Sequence, residues 1–100
     1  MEFLVLVNPG PAPPPVELVR AAQEWIDTRL SDGTIECSYA FVGGCGFSVT
    51  KADSHEELTD ELLDYPLSPF VDYDVKPLIG LDHAFKRFIA LAEQMAAQAG

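Results

Sequence analysis

Residues 62–78, Leu-Leu-Asp-Tyr-Pro-Leu-Ser-Pro-Phe-Val-Asp-Tyr-Asp-Val-Lys-Pro-Leu, constrain the fold of this chain more than any other stretch. A helix has to end there. Pro66 has no N–H to give it, and Pro69 locks φ again three residues later. A strand follows at once. Val71, Tyr73 and Val75 point one way, and Asp72, Asp74 and Lys76 point the other.

The remaining elements fall into order around that corner. Residues 3–7 are apolar on both faces and predict a central strand covered on both sides. Residues 9–15, Pro-Gly-Pro-Ala-Pro-Pro-Pro, form an extended connector, with Pro15 at the first turn of the next helix. That helix spans about residues 16–30, with Leu18, Ala22, Trp25, Ile26 and Leu30 as its buried stripe and Asp32-Gly33 as its end. Strands over 34–42 and 46–52 meet at Gly43-Gly44, which supplies the positive φ of a tight turn. Ser54-His55-Glu56-Glu57 is a capping box that opens a second helix. The corner and the strand 71–76 follow. A tail helix over about 82–97 carries Phe85, Phe88, Ile89, Ala92 and Met95 on one face. The order β-α-β-β-α-β plus a C-terminal helix predicts an α+β, ferredoxin-like split βαβ arrangement with a four-stranded antiparallel sheet, as one domain over residues 1–100.

Two helices cover one face of such a sheet, so the other face must meet something. With a two- or four-residue hairpin loop, Phe47 and Val49 share the face of Ser38 and Ala40. Tyr39 and Phe41 then share the face of Gly46, Ser48 and Thr50. Neither face is purely polar, which predicts a partner sheet from an identical subunit. The tail helix is expected to cover the partner or the end of the resulting barrel.

Charge narrows the choice of partner. Six bases and sixteen acids leave a net charge of −10. A surface this acidic repels phosphate backbones and anionic lipid heads, so neither nucleic acid nor membrane is an expected partner. The acids from Asp53 to Asp74 run without an intervening Lys or Arg and read as a solvated face. Met1-Glu2 carries no basic stretch, and the apolar run 3–7 is too short for an export signal, so a cytoplasmic location is expected. In the hairpin register above, Cys45 lies opposite Val42 and Cys37 opposite Thr50. That puts the sulfurs about 16 Å apart along the ladder and predicts two free thiols.

Gly43-Gly44-Cys45-Gly46-Phe47-Ser48-Val49, then Ala52-Asp53-Ser54, then Leu62 to Asp72 through the double-proline corner resemble the muconolactone isomerase-like branch of the dimeric α/β-barrel superfamily. The resemblance covers roughly residues 33–78 and rests on turns, a helix cap and core positions. It implies a homodimer or higher oligomer and a cofactor-independent small-molecule enzyme of the isomerase or cyclase kind, transferring protons in an apolar pocket. Members of the family carry a lysine late in strand one and Arg or His along strand two. Leu6, Glu36, Cys37 and Ala40 stand at those positions here. A pocket without those cations holds a carboxylate poorly, so muconolactone itself is not the expected substrate. The alternatives are a non-catalytic domain for ligand binding or assembly, and a cofactor-free monooxygenase of the same superfamily.

The candidate chemistry is sparse. Glu36, the one acid within an otherwise apolar and small-residue strand, and Asp72 on the fourth strand are the proton-transfer candidates, with Asp74 beside them. Against this, charges on an edge strand also serve to prevent aggregation. Trp25, Ser38, Tyr39 and Tyr73 are the expected neighbours of a small hydrophobic ligand, because polar-tipped aromatics and small side chains build pockets. His55 and His83 open helices and read as exposed. They form no ligand set, so no metal is expected.

Overall fold

The computed structural model describes residues 1–99. Its elements are β1 (Glu2–Pro9), α1 (Val16–Asp32), β2 (Ile35–Ala40), β3 (Gly46–Lys51), α2 (His55–Asp64), a 3₁₀ turn at Ser68–Phe70, β4 (Val71–Leu78) and α3 (Leu81–Ala99). The four strands form one antiparallel sheet in the order β2-β3-β1-β4. This is the ferredoxin-like α+β arrangement, with apolar β1 in the interior. β4 is an edge, which is where Pro77 can sit in a strand without removing a ladder bond.

Local signals place the helix ends. Gly33 closes α1 in the left-handed conformation, φ 85°. The Thr34 hydroxyl and then the Thr34 N–H, which donates to the Asp32 side chain at 2.8 Å, hold the Asp32 carboxyl below its ordinary value. Ser54 caps α2: its Oγ accepts from the Glu57 N–H at 3.0 Å, and Glu57 reaches back to the Asp53 N–H at 3.1 Å. Replacing Ser54 by Ala should lower stability by about 1 kcal/mol, read as a lower urea midpoint at unchanged slope. At the corner the Ser68 N–H bonds to the Tyr65 carbonyl and the Phe70 N–H to that of Leu67. The proline-rich connector is tied to the same corner by Gly10 N–H donating to the Phe70 carbonyl at 2.9 Å.

The core lies between the sheet and α2. Phe3, Val5, Ala52 and Leu58 are buried, and Val7, Leu62 and Tyr73 pack against them. Strand register assigns the faces. Val5 and Val7 stand opposite Ser48 and Gly46 on one side and Val75 and Tyr73 on the other, all facing the helices. Leu4 and Leu6 face outward with Val49 and Phe47.

The hairpin corrects the expected register. Ala40 pairs with Gly46, so the loop holds residues 41–45, an odd number. Gly43, Gly44 and Cys45 all have positive φ, Cys45 at 58°. Tyr39 therefore pairs with Phe47 and Cys37 with Val49, and these four share the outer face. Ser38 and Ala40 share the helix face with Ser48 and Gly46. Shifting a strand pairing by one residue inverts every side chain, and that is the whole difference. Cys37 and Cys45 remain free thiols.

A second irregularity lies at the start of β2. The ladder slips between Ile35 and Cys37, leaving Glu36 as the unpaired residue of a bulge. Ile35 is thereby turned to the helix face, where it is buried.

α3 lies apart from all of this. None of its residues is buried, and Phe85, Phe88, Ile89 and Met95 are each more than half exposed. The molecule is 64 Å long and only 28 by 24 Å across. No helix among the described residues is long and apolar enough to cross a membrane.

Candidate functional site

A cavity of about 320 Å³ opens between the sheet and the helices. Trp25 and Ile26 of α1 form one wall, and Leu62 of α2 with Tyr65 of the corner another. The floor is Val5, Val7 and Ser48 of the sheet, and β2 with the hairpin makes the rim. The floor is open because Gly46 brings no side chain and Ser38, Ala40 and Ser48 bring small ones. No Asp, Glu, Lys, Arg or His lines it. Among the described residues no cluster of three or more His, Cys, Asp or Glu could hold a metal ion.

The polar atoms of the lining are mostly committed. Ser38 Oγ donates to the Phe47 carbonyl at 3.2 Å, and the hydroxyls of Ser48 and Thr50 share a bond of 2.9 Å. Tyr73 donates its O–H to the Leu62 carbonyl at 2.9 Å, pinning β4 to α2. Burial raises the phenol pKa of Tyr73, partly offset by the nearby Ser68 hydroxyl. Burial likewise raises that of Tyr65, with smaller contributions from Tyr73 and Cys45. Both phenols are thus held protonated, and a protonated phenol in an apolar site is a hydrogen-bond donor.

Trp25, Ser38, Tyr39 and Tyr73 all border the cavity. Tyr39 does so from the rim: it is 66% exposed, and its ring stacks on Phe47 with centroids 5.8 Å apart. The carboxylates lie elsewhere. Glu36 is exposed on the bulge, and Asp72 and Asp74 are exposed on the outer face of β4, opposite Asn8 and Leu6. The bulge is the physical reason for Glu36, since it removes that residue from the alternation that would have set it beside Ser38. Of the four positions where the family's cations were expected, only Ala40 borders the cavity. The cavity's lack of charge therefore rests on its whole lining.

Tyr65 is the residue that sequence reasoning left out. Helical spacing from Leu58 and Leu62 extends to it, but it caps the helix in an extended conformation, φ −60° and ψ 127°. Pro66 was the available signal, because the residue before a proline is driven out of the helical region.

An antiparallel four-stranded sheet in the order β2-β3-β1-β4, backed by two helices, is a ferredoxin-like α+β fold. The crystal structure of muconolactone isomerase matches it with a TM-score of 0.70 and 27% identity, over 80% of this chain and 90% of that one. A 5-chloro-2-hydroxyhydroquinone dehydrochlorinase from Burkholderia phenoliruptrix, solved with 2,5-dihydroxybenzoquinone, matches the fold with a TM-score of 0.69 at 15% identity, over 83% and 98% of the two chains. No family model and no curated protein matches the chain. The chain is thus similar in fold to muconolactone isomerase, the resemblance that the hairpin, the helix cap and the double-proline corner indicated.

Proposed function

We propose that this chain is a cofactor-independent small-molecule enzyme of the isomerase or cyclase kind. The observation that carries the reading is the uncharged cavity of about 320 Å³ walled by two protonated phenols, in a fold shared with muconolactone isomerase. A phenol donating to a ring carbonyl stabilises the enol form and makes the neighbouring C–H more acidic, and the proton it loses passes to water entering through the open rim, since no base lines the cavity. Tyr65 takes that role, because Tyr73 is already bonded to the Leu62 carbonyl. The binding-only reading is favoured by one fact: Glu36, Asp72 and Asp74 all stand outside the cavity.

Proton exchange separates the two. The α-protons of a neutral unsaturated lactone incubated with the protein in D₂O should exchange faster than in buffer, followed by NMR. Binding without accelerated exchange establishes the binding-only reading. Ala40→Phe places a ring across the rim, opposite the bare Gly46, and should cut binding and exchange at least tenfold. Its stability should change by no more than about 0.5 kcal/mol, because Ala40 is exposed.

We infer further that the working form is a homodimer. Leu4, Leu6, Phe47 and Val49 line a sheet face that nothing in the same chain covers. Leu81, Phe85, Phe88, Ala92 and Met95 make a heptad-spaced stripe on α3. Two copies related by a twofold axis can cover both surfaces. Charge favours the same partner: α3 carries Lys86 and Arg87, and the segment from Asp53 to Asp74 is acidic.

A further inference from the structure

Arg29 stands in the last turn of α1, one helical turn after Trp25. Its guanidinium has every nitrogen committed. Nε donates to Glu61 Oε2 of α2 at 2.5 Å and Nη2 to Glu61 Oε1 at 3.5 Å, while Nη1 donates to the Trp25 carbonyl at 3.4 Å. Held by that fork, the guanidinium carbon lies 3.7 Å from the centroid of the Trp25 ring. The indole in turn packs on the Tyr65 ring, with centroids 5.1 Å apart and planes at 59°. Trp25 Nε1 is buried, so the indole is a wall of the cavity and not a donor to it. These contacts run unbroken from Glu61 to the phenol that borders the cavity.

Stability does not account for the arrangement. In a chain of sixteen acids and six bases, Arg29–Glu61 is the only ion pair among the described residues. Its side chains are 19% and 25% exposed, and pairs near the surface contribute little to folding. What the pair does supply is geometry. Only Ala22 of α1 is buried, so the helix has little packing of its own to fix Trp25 in place. A planar fork on a carboxylate sets the guanidinium in one orientation, and a guanidinium over an indole face sets the ring.

We propose that Arg29 and Glu61 are positioning residues for Tyr65: acting through Trp25, they fix the ring whose O–H serves the cavity. The inference rests on the reading of Tyr65 as the enol-stabilising donor. Lysine at position 29 keeps the charge but neither the fork nor the stack, and glutamine at position 61 keeps the shape but not the charge.

Arg29→Lys and Glu61→Gln test the proposal on two readouts. The ring current of Trp25, the sole tryptophan, displaces the Tyr65 ring protons from their random-coil NMR shifts. In both variants those signals should move at least halfway back. With α-angelica lactone in D₂O, kcat for α-proton exchange should fall about tenfold at unchanged KM, the pattern of a misplaced group rather than a lost binding contact. Urea midpoints close to wild type should accompany both changes. Arg20→Lys, exposed on the same helix, should alter neither readout. Exchange that falls in Tyr65→Phe but is kept in Arg29→Lys and Glu61→Gln overturns the positioning and leaves the donor. Tyr65 signals that stay in place in both variants overturn it whatever the activity. Exchange untouched by Tyr65→Phe overturns the donor and the positioning together. A wild type that exchanges no faster than buffer overturns the enzyme reading, and the Tyr65 signals then decide alone whether Arg29 and Glu61 hold the ring. Where one variant does not fold, the other decides.

Discussion

Leu6→Asp should convert the protein from a dimer to a folded monomer. Leu6 lies on the interior strand β1, on the outer face, between Phe47 of β3 and Asp74 of β4. In a single chain that face is half-exposed, so an aspartate there costs the monomer about 1 kcal/mol, through the like charge of Asp74 opposite it. In a face-to-face dimer the carboxylate would lie in the middle of an apolar contact, beside Asp74 of its own chain. A desolvated and unpaired charge weakens association by about 3–5 kcal/mol, a factor of a hundred or more in the dissociation constant. Light scattering should show twice the chain mass for the wild type and the single-chain mass for the variant at micromolar concentration. A wild type that is already monomeric, or a variant that stays dimeric, would refute assembly through this face.

Gly46→Ala should cost about 3 kcal/mol of stability, near the top of the usual range for one substitution. Gly46 faces the helices and pairs with Ala40 across the hairpin. A Cβ there would come unacceptably close to the Tyr39 carbonyl oxygen and to within 3.0 Å of Ala40 Cα. Both obstacles are backbone, so no side chain can swing aside and the two strands must part. Gly80→Ala is the control, because nothing lies within 4 Å of a Cβ at that position. Urea unfolding of the two variants should differ by most of the expected 3 kcal/mol. Equal midpoints would mean that the hairpin rearranges at little cost.

What the sequence disclosed and what it hid divide along physical lines. The double-proline corner, the Ser54 cap and the Gly33 helix end are local devices, settled within a few residues, and each was legible. The strand order followed because β1 is apolar on both faces and the βαββαβ order has one economical solution. The hairpin parity was not legible. It depends on Cys45 taking a left-handed conformation that only its two glycine neighbours advertised. The bulge at Glu36 relieves a mismatch between two strands, and no single residue announces it. Those two irregularities decide the lining: one sends Phe47 and Val49 outward, the other removes the carboxylate. Trp25, Ser38, Tyr39 and Tyr73, expected beside a ligand, do border the cavity, Tyr39 from its rim on the opposite sheet face from Ser38. Tyr65 was concealed by a helical spacing that continues one step past the point where Pro66 ends the helix.

α3 has a consequence for the lifetime of the chain. A 19-residue helix with nothing of its own chain beneath it is marginal in water. In the proposed homodimer its order depends on meeting another copy, which would make it a function of abundance. At high copy number the tail would be sheltered. On dilution it would fray, and the Lys86-Arg87 pair within it would become a cleavage site for any protease that reads paired bases. Scarcity and degradation would then reinforce each other, so that the protein persists above a threshold abundance and is cleared below it.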